Sequence, residues 1–170
     1  MTALRHVRLL ARYKAWADDR IFEAAAALPE GEPTRPRQSI FRDLVHTLNH
    51  VYVIDRVFQA HLEGLEHGYA ARNTAGYPPI AELWGAQQEI DRWYVAFADA
   101  QSDASLDQRV EFEYIGGGRG AMTRGEILLH IANHATYHRG FVADFFCQIP
   151  ARPPVTDLTV FLRDAPPALP

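Results

Sequence analysis

Residues 130–140 read His-Ile-Ala-Asn-His-Ala-Thr-Tyr-His-Arg-Gly, and residues 46–50 read His-Thr-Leu-Asn-His. In both segments the histidines recur every four residues. Side chains four apart lie on the same face of an α-helix, one turn from each other. Apolar residues such as Leu44, Leu48 and Val51 recur at steps of three and four beside them. The two segments therefore predict amphipathic helices that carry stacked imidazoles.

Elsewhere in the chain, the same periodicity predicts two further helices, and local residues predict where the four helices begin and end. Pro and Gly interrupt the pattern between them, and Ser39 and Thr123 are placed as N-caps. Thr123 has Glu126 three residues later, which is the pattern of a capping box. The predicted helices cover 4–28, 39 to about 65, 80 to about 100 and 123 to about 148.

The remaining segments predict short elements around this set of helices. Residues 110–115 alternate in polarity and precede three glycines, which predicts a strand and turn before the fourth helix. Residues 156–163 predict a short last helix before a Pro-rich tail. Four long helices favour an all-α four-helix bundle, and we expect one domain over residues 1–170.

Composition excludes several classes of protein. Of the 170 residues 48% are hydrophobic, and the formal net charge is −4, which argues against a nucleic-acid-binding protein. Cys147 is the single cysteine, so a disulfide framework is excluded, and we expect a small buried residue there. Without a long apolar run or a signal-peptide pattern, we expect a cytoplasmic protein that does not enter a membrane.

The spacing of the histidines limits how they can bind one metal ion. His130 and His138 lie about 12 Å apart along a helix axis, too far for both to ligate an ion at about 2.1 Å. The pair is therefore His130 with His134, or His134 with His138, and the second helix adds His46 or His50. Three protein ligands leave an open position, as in catalytic sites. The glutamate of a zincin helix is missing, and His6, His61 and His67 are interpreted as ordinary polar or packed residues.

Four segments in chain order carry a family resemblance. They are 13–18 Tyr-Lys-Ala-Trp-Ala-Asp, 47–56 Thr-Leu-Asn-His-Val-Tyr-Val-Ile-Asp-Arg, 133–140 Asn-His-Ala-Thr-Tyr-His-Arg-Gly and 153–162 Pro-Pro-Val-Thr-Asp-Leu-Thr-Val-Phe-Leu. They resemble Y-N-x-W-A-N, T-L-N-H-x-x-x-x-D-R, N-H-x-T-H-H-R-G and P-P-x-x-D-x-x-x-F/Y of the DinB/YfiT-like proteins. These are bacterial four-helix bundles that hold a divalent metal on three histidines, and the resemblance covers nearly the whole chain.

The resemblance implies a particular set of ligands, namely His50, His134 and His138. His46 and His130 then become neighbours one turn away, in an outer shell or lining a pocket. Arg139 could bind a carboxylate or phosphate of a ligand, or form an ion pair at the helix surface. The sequence departs from the family pattern at Tyr137, where many members have histidine, and at Phe141, where many have glutamine.

The resemblance also implies a chemical class. Characterised relatives include thiol-dependent S-transferases and maleylpyruvate isomerases, so we expect a metal-dependent enzyme that activates water or a low-molecular-weight thiol for a small-molecule substrate. Imidazole ligands suit zinc, nickel, iron or cobalt, so the divalent metal is not specified. The alternative is a non-catalytic metal- or ligand-binding, stress-related bundle. Relatives in this family often form dimers, so the resemblance further implies a homodimer.

Overall fold

Helices form most of the chain, with one small β-hairpin between the third and fourth long helices. The structure is a computed structural model and describes residues 2–168. The predicted all-α bundle, with its strand insertion and its short C-terminal helix, is confirmed. The elements are α1 Ala3–Ala26, a 3₁₀ turn Glu32–Thr34, α2 Leu44–Glu63, α3 Ile80–Asp99, α4 Asp103–Leu106, β1 Arg109–Glu113, β2 Arg119–Thr123, α5 Arg124–Cys147 and α6 Leu158–Asp164.

The four long helices pack in a square. α1 lies mainly against α3 and α5, and α2 lies against the same two helices, so α1 and α2 are on a diagonal. One apolar cluster joins the start of α1, the ends of α2 and α3 and the start of α5. A second cluster joins the opposite ends of these helices. α1 and α5 therefore run in one direction, and α2 and α3 run in the other.

The predicted caps have different outcomes. The capping box at α5 is confirmed, because Thr123 Oγ1 accepts a hydrogen bond from the Glu126 amide at 3.1 Å and Glu126 Oε2 accepts one from the Thr123 amide at 2.7 Å. The prediction that Ser39 caps α2 is wrong. The cap is Asp43, whose carboxylate accepts from the His46 amide at 2.8 Å. Ser39 instead accepts from the amide of Phe41, within a bend that precedes the helix.

The β-hairpin closes one end of the bundle. β1 and β2 pair antiparallel, and the turn between them has positive φ at Gly116, Gly117 and Gly118, which suits glycine alone. Phe112 of β1 is buried against the apolar cluster at that end. A Cβ at Gly120 would lie 2.6 Å from a ring carbon of Phe112, so the ring occupies the space that only a glycine leaves.

The C-terminal segment differs from its prediction at two points. The last helix begins at Leu158 rather than at residue 156, because the Thr156 carbonyl accepts a hydrogen bond from the Tyr13 hydroxyl at 2.8 Å. Phe161 of α6 then packs on the outer side of α1. Cys147 is exposed at the last residue of α5, so the expected burial is wrong. No helix within residues 2–168 is long and apolar enough to cross a membrane.

A layer of buried charges separates the two apolar clusters. Its centre is Lys14, the only lysine of the chain, which is 1% exposed. The Lys14 Nζ atom lies 2.9 Å from a carboxylate oxygen of Asp18, 2.7 Å from Asp55 and 2.5 Å from Asp91. Arg139 of α5 pairs with the other oxygen of Asp18 at 2.8 Å. All four long helices therefore meet through charged groups at this level.

The charged side chains of this layer sum to zero only if one of the carboxylates is protonated. Three carboxylates face the two cations Lys14 and Arg139. Burial lowers the pKa of Lys14, but the carboxylates outweigh this effect and hold its pKa well above the ordinary value. Burial also raises the pKa of Asp91 to about 7, against the opposing pull of Lys14. A proton on Asp91 would bring the layer to neutrality.

Replacing Lys14 should therefore destabilise the bundle strongly. In Lys14→Met the buried carboxylates lose their shared cation, and we expect the free energy of unfolding to fall by about 3–5 kcal/mol. The loss should be smaller at about pH 5 than at about pH 8, because protonation relieves the repulsion between carboxylates. Urea unfolding at both pH values measures this.

The matched control for Lys14→Met is Arg35→Met. Arg35 pairs with Glu32 but is 63% exposed, so its loss should cost only about 0–1 kcal/mol. If the two variants lost equally little stability, the Lys14 layer would not hold the helices together.

Candidate metal centre

Three of the eight histidines converge between α2 and α5. His50 comes from α2, and His134 and His138 come from successive turns of α5. One ring nitrogen from each lies within 4.8 Å of the other two, and the Nε2 atoms of His50 and His134 are 3.2 Å apart. The spacing within α5 and the contact between α2 and α5 together produce this arrangement.

The geometry and the protonation of the three rings fit a metal ion. Two imidazole nitrogens at about 2.1 Å from a tetrahedral ion are about 3.4 Å apart, close to the separation of His50 and His134. Burial, followed by the neighbouring histidines, lowers the pKa of His134 to about 2 and that of His138 to about 4. The pKa of His50 is lowered as well, mainly by burial. The rings are therefore neutral at pH 7, the form in which histidine binds metals.

A backbone carbonyl contacts the far side of one candidate ligand. His50 Nδ1 lies 2.9 Å from the carbonyl oxygen of Arg72, in the segment between α2 and α3. Because a carbonyl only accepts hydrogen bonds, Nδ1 carries the proton and Nε2 presents its lone pair to the other histidines. Metal-ligating histidines are usually oriented by such a partner. Within residues 2–168, the Nδ1 atoms of His134 and His138 are buried without a hydrogen-bond partner.

His46 and His130 lie next to the three converging histidines but outside the group. His46 is half-buried and lines a separate cavity of about 230 Å³ with residues that include Arg42 and Tyr77. The His130 ring packs 4.8 Å from the ring of Phe58, and burial lowers its pKa. Its ring centre is 5.6 Å from that of His134. Neither residue contributes to the group of nitrogens that could hold an ion.

The side chain of Arg139 points into the bundle interior, where it pairs with other side chains of the chain. It is 4% exposed and donates to Asp18 and, at 2.8 Å, to the hydroxyl of Thr136. This placement differs from both sequence interpretations, anion binding and a surface ion pair. Because His138 and Arg139 are consecutive, they point about 100° apart, one toward α2 and the other toward α1.

Aromatic rings line one side of the histidine group. Phe41, in the bend before α2, lies with its ring centre 4.7 Å from that of His138 and 4.7 Å from that of Phe141. Tyr137 is 54% exposed and its ring centre lies 5.0 Å from that of His138. The two departures from the family pattern, Tyr137 and Phe141, therefore belong to one apolar wall beside the candidate site.

Sequence reasoning missed the contributions of Phe41 and Arg72. Both lie in segments without regular structure, where no periodicity indicates which side chain or carbonyl faces the histidines. Lys14 did carry a signal, since it is the one lysine in a chain rich in arginine and lies on the apolar face of α1, three residues from both Ala11 and Ala17.

Two comparisons with known proteins each match most of this chain. The profile of the DinB family matches residues 2–168. A relative named Protein DinB, from Bacillus subtilis (strain 168), is 26% identical over 159 residues, which covers 90% of this chain and 91% of the relative.

The lowered pKa values predict how acid affects the metal-free protein. Below about pH 6.5 these histidines become protonated in the unfolded chain but stay neutral in the folded chain, because their pKa values are lowered there. The unfolded chain therefore binds more protons, and the free energy of unfolding should fall as pH decreases. His134→Gln cannot take up that proton, and its stability should fall less steeply. Urea unfolding in the presence of a chelator, between about pH 7.5 and pH 4.5, compares the two.

Two features keep this comparison specific to His134. Asp91, with its pKa raised to about 7, titrates in both proteins and cancels in the difference. His6 is exposed on α1, and His6→Gln is the control for the effect of the substitution itself. Parallel curves for the wild type and His134→Gln would contradict the lowered pKa of His134.

Proposed function

We propose a metal-dependent activity for this chain because it belongs to the DinB family and because three of its imidazoles converge at one point. The proposal is that His50, His134 and His138 hold a divalent metal ion and that the protein is an enzyme acting on water or a low-molecular-weight thiol. A bound divalent ion supplies Lewis acidity, which lowers the pKa of water or a thiol toward neutrality. The convergence of the three ring nitrogens is the observation that carries the proposal.

The number of candidate ligands favours a catalytic over a structural ion. Among the residues that the structure describes, the group contains three side chains, and a closed structural site would have four. The helices that carry the histidines are already joined by the buried charges around Lys14. The bundle therefore does not depend on an ion for its packing.

The chain's own residues orient the site and limit what can reach it. The carbonyl of Arg72 fixes the His50 ring, and burial keeps the imidazoles neutral. His50 and His134 are only half-buried, so a small molecule can approach them. The apolar wall of Phe41, Tyr137 and Phe141 favours a substrate with an apolar part beside the reacting group.

The alternative is a bundle that binds a metal or ligand without catalysis. Phe41 favours it, because its ring packs against His138 and lies 6.3 Å from the ring of His50, which narrows the approach to the histidines. Only the enzyme requires turnover, and a bundle that binds a ligand requires no ion, so measurements of metal content and of turnover distinguish these functions.

The first expectation concerns metal content. Untagged wild-type protein, reconstituted with zinc, nickel, iron(II) or cobalt, should retain about one ion per chain, as one site with three histidine ligands would. His50→Ala should retain little or none after dialysis, while the exposed control His6→Ala should match the wild type. Elemental analysis measures this, and a wild type that retains no ion would refute the proposed site.

The second expectation concerns turnover of thiols. Metal-loaded wild type should accelerate the reaction of a low-molecular-weight thiol such as glutathione with an electrophile. His50→Ala, His134→Ala and His138→Ala should each lower the rate by more than about 100-fold, beyond the 10–100-fold typical of losing an outer-shell partner. Metal binding with unchanged rates in all three variants would leave the non-catalytic alternative.

A further inference from the structure

The segment that contacts His50 is held by one buried side chain. Arg72 lies in the irregular stretch between α2 and α3, and its own side chain is exposed. Two residues later, Thr74 donates from its backbone amide to Asn49 Oδ1 at 2.9 Å and from its hydroxyl at 3.2 Å. Asn73 donates to the same oxygen at 3.3 Å. Three donors from the segment therefore converge on one atom of α2.

Asn49 immediately precedes His50 and is 2% exposed. Its Oδ1 atom makes all of these bonds, whereas its Nδ2 atom is buried without a partner within residues 2–168. A second bond reinforces the attachment, because Asn73 Nδ2 also donates to the His46 carbonyl at 2.7 Å. The hydrogen bonds between Asn49 and residues 73–74 are thus all made by its acceptor oxygen.

We infer that Asn49 is a positioning residue for the metal centre: its amide oxygen fastens residues 73–74 to α2, so that the Arg72 carbonyl meets His50 Nδ1 and holds the ring in the tautomer whose Nε2 atom can ligate. This inference rests on the proposed function for its metal-binding consequence. Its structural part, the tautomer of His50, belongs to the metal-free protein and can be measured without an ion.

The chain offers a matched control. Asn133 immediately precedes His134 on α5, as Asn49 precedes His50 on α2, but Asn133 is exposed. The same substitution at the two asparagines changes the same chemical group at the same sequence distance from a candidate ligand. Only the one at Asn49 removes the acceptor that holds the Arg72 segment.

The experiment compares Asn49→Leu, Asn49→Asp and Asn133→Leu with the wild type. Long-range ¹H–¹⁵N correlation spectra of the metal-free proteins report which ring nitrogen of His50 carries the proton, and His50→Gln assigns the signal. The wild type, Asn49→Asp and Asn133→Leu should show the proton on Nδ1. Asn49→Leu should lose that preference, because the Arg72 carbonyl is no longer held at 2.9 Å.

Zinc affinity, measured by competition with a chromophoric chelator, is the second readout. Asn49→Leu should bind zinc about 10–100-fold more weakly than the wild type, as expected for an outer-shell partner, and Asn133→Leu should match the wild type. A role in stability alone would change the unfolding midpoint but neither the tautomer nor the zinc affinity of the folded protein.

The inference fails if Asn49→Leu keeps the proton on Nδ1 and keeps wild-type zinc affinity. If Asn49→Leu does not fold, Asn73→Ala replaces it, since it removes two of the bonds while Asn49 stays in place. Asn73→Ala should then shift the tautomer in the same direction by a smaller amount, and an unchanged tautomer would overturn the inference. A wild type that binds none of zinc, nickel, iron(II) or cobalt refutes the proposed function, and the tautomer still decides the role of Asn49.

Discussion

The ammonium group of Lys14 is the contact on which the arrangement of the helices depends. It has three N–H donors, and three carboxylates from α1, α2 and α3 surround it at 2.5–2.9 Å. A buried charge is tolerated only when it is paired this completely. The layer favours one relative rotation of the helices, because turning α1, α2 or α3 would separate Lys14 from a carboxylate and turning α5 would separate Arg139 from Asp18. Apolar packing at the two ends of the bundle is less specific for one relative rotation of the helices.

The same rotation presents the histidines to each other. Asp55 and His50 lie on α2, and Arg139 and His138 lie on α5, so each of these helices contributes to the charged layer and to the candidate centre. When Asp55 meets Lys14 and Arg139 meets Asp18, His50 and His138 are turned toward the shared groove. The interior charges thus position a site that they do not contact.

Irregular segments complete the centre that the helices begin. The bend before α2 places Phe41 against His138, and the stretch after α2 places the Arg72 carbonyl on His50. The stretch after α2 is fixed by two side chains near the start of α2: Asp43, its N-cap, accepts from the Tyr77 hydroxyl at 2.8 Å, and Asn49 accepts from Thr74. The helical bundle therefore supplies the three histidines, while the irregular segments place a carbonyl against one of them and an aromatic ring against another.

The sequence by itself determined the four long helices, the capping box at Thr123, the strand insertion and the family, because helical periodicity and caps are local properties. It also narrowed the candidate ligands to histidines four apart, although spacing alone left His46 and His130 open. Only the tertiary structure decided that Asp43 starts α2, that Arg139 is buried and that Asn49 holds a loop. The Arg139 and Asn49 contacts depend on partners far along the chain, and Asp43, which caps the nearby His46 amide, also binds the distant Tyr77 hydroxyl. No local pattern encodes which distant donor or acceptor a side chain will meet.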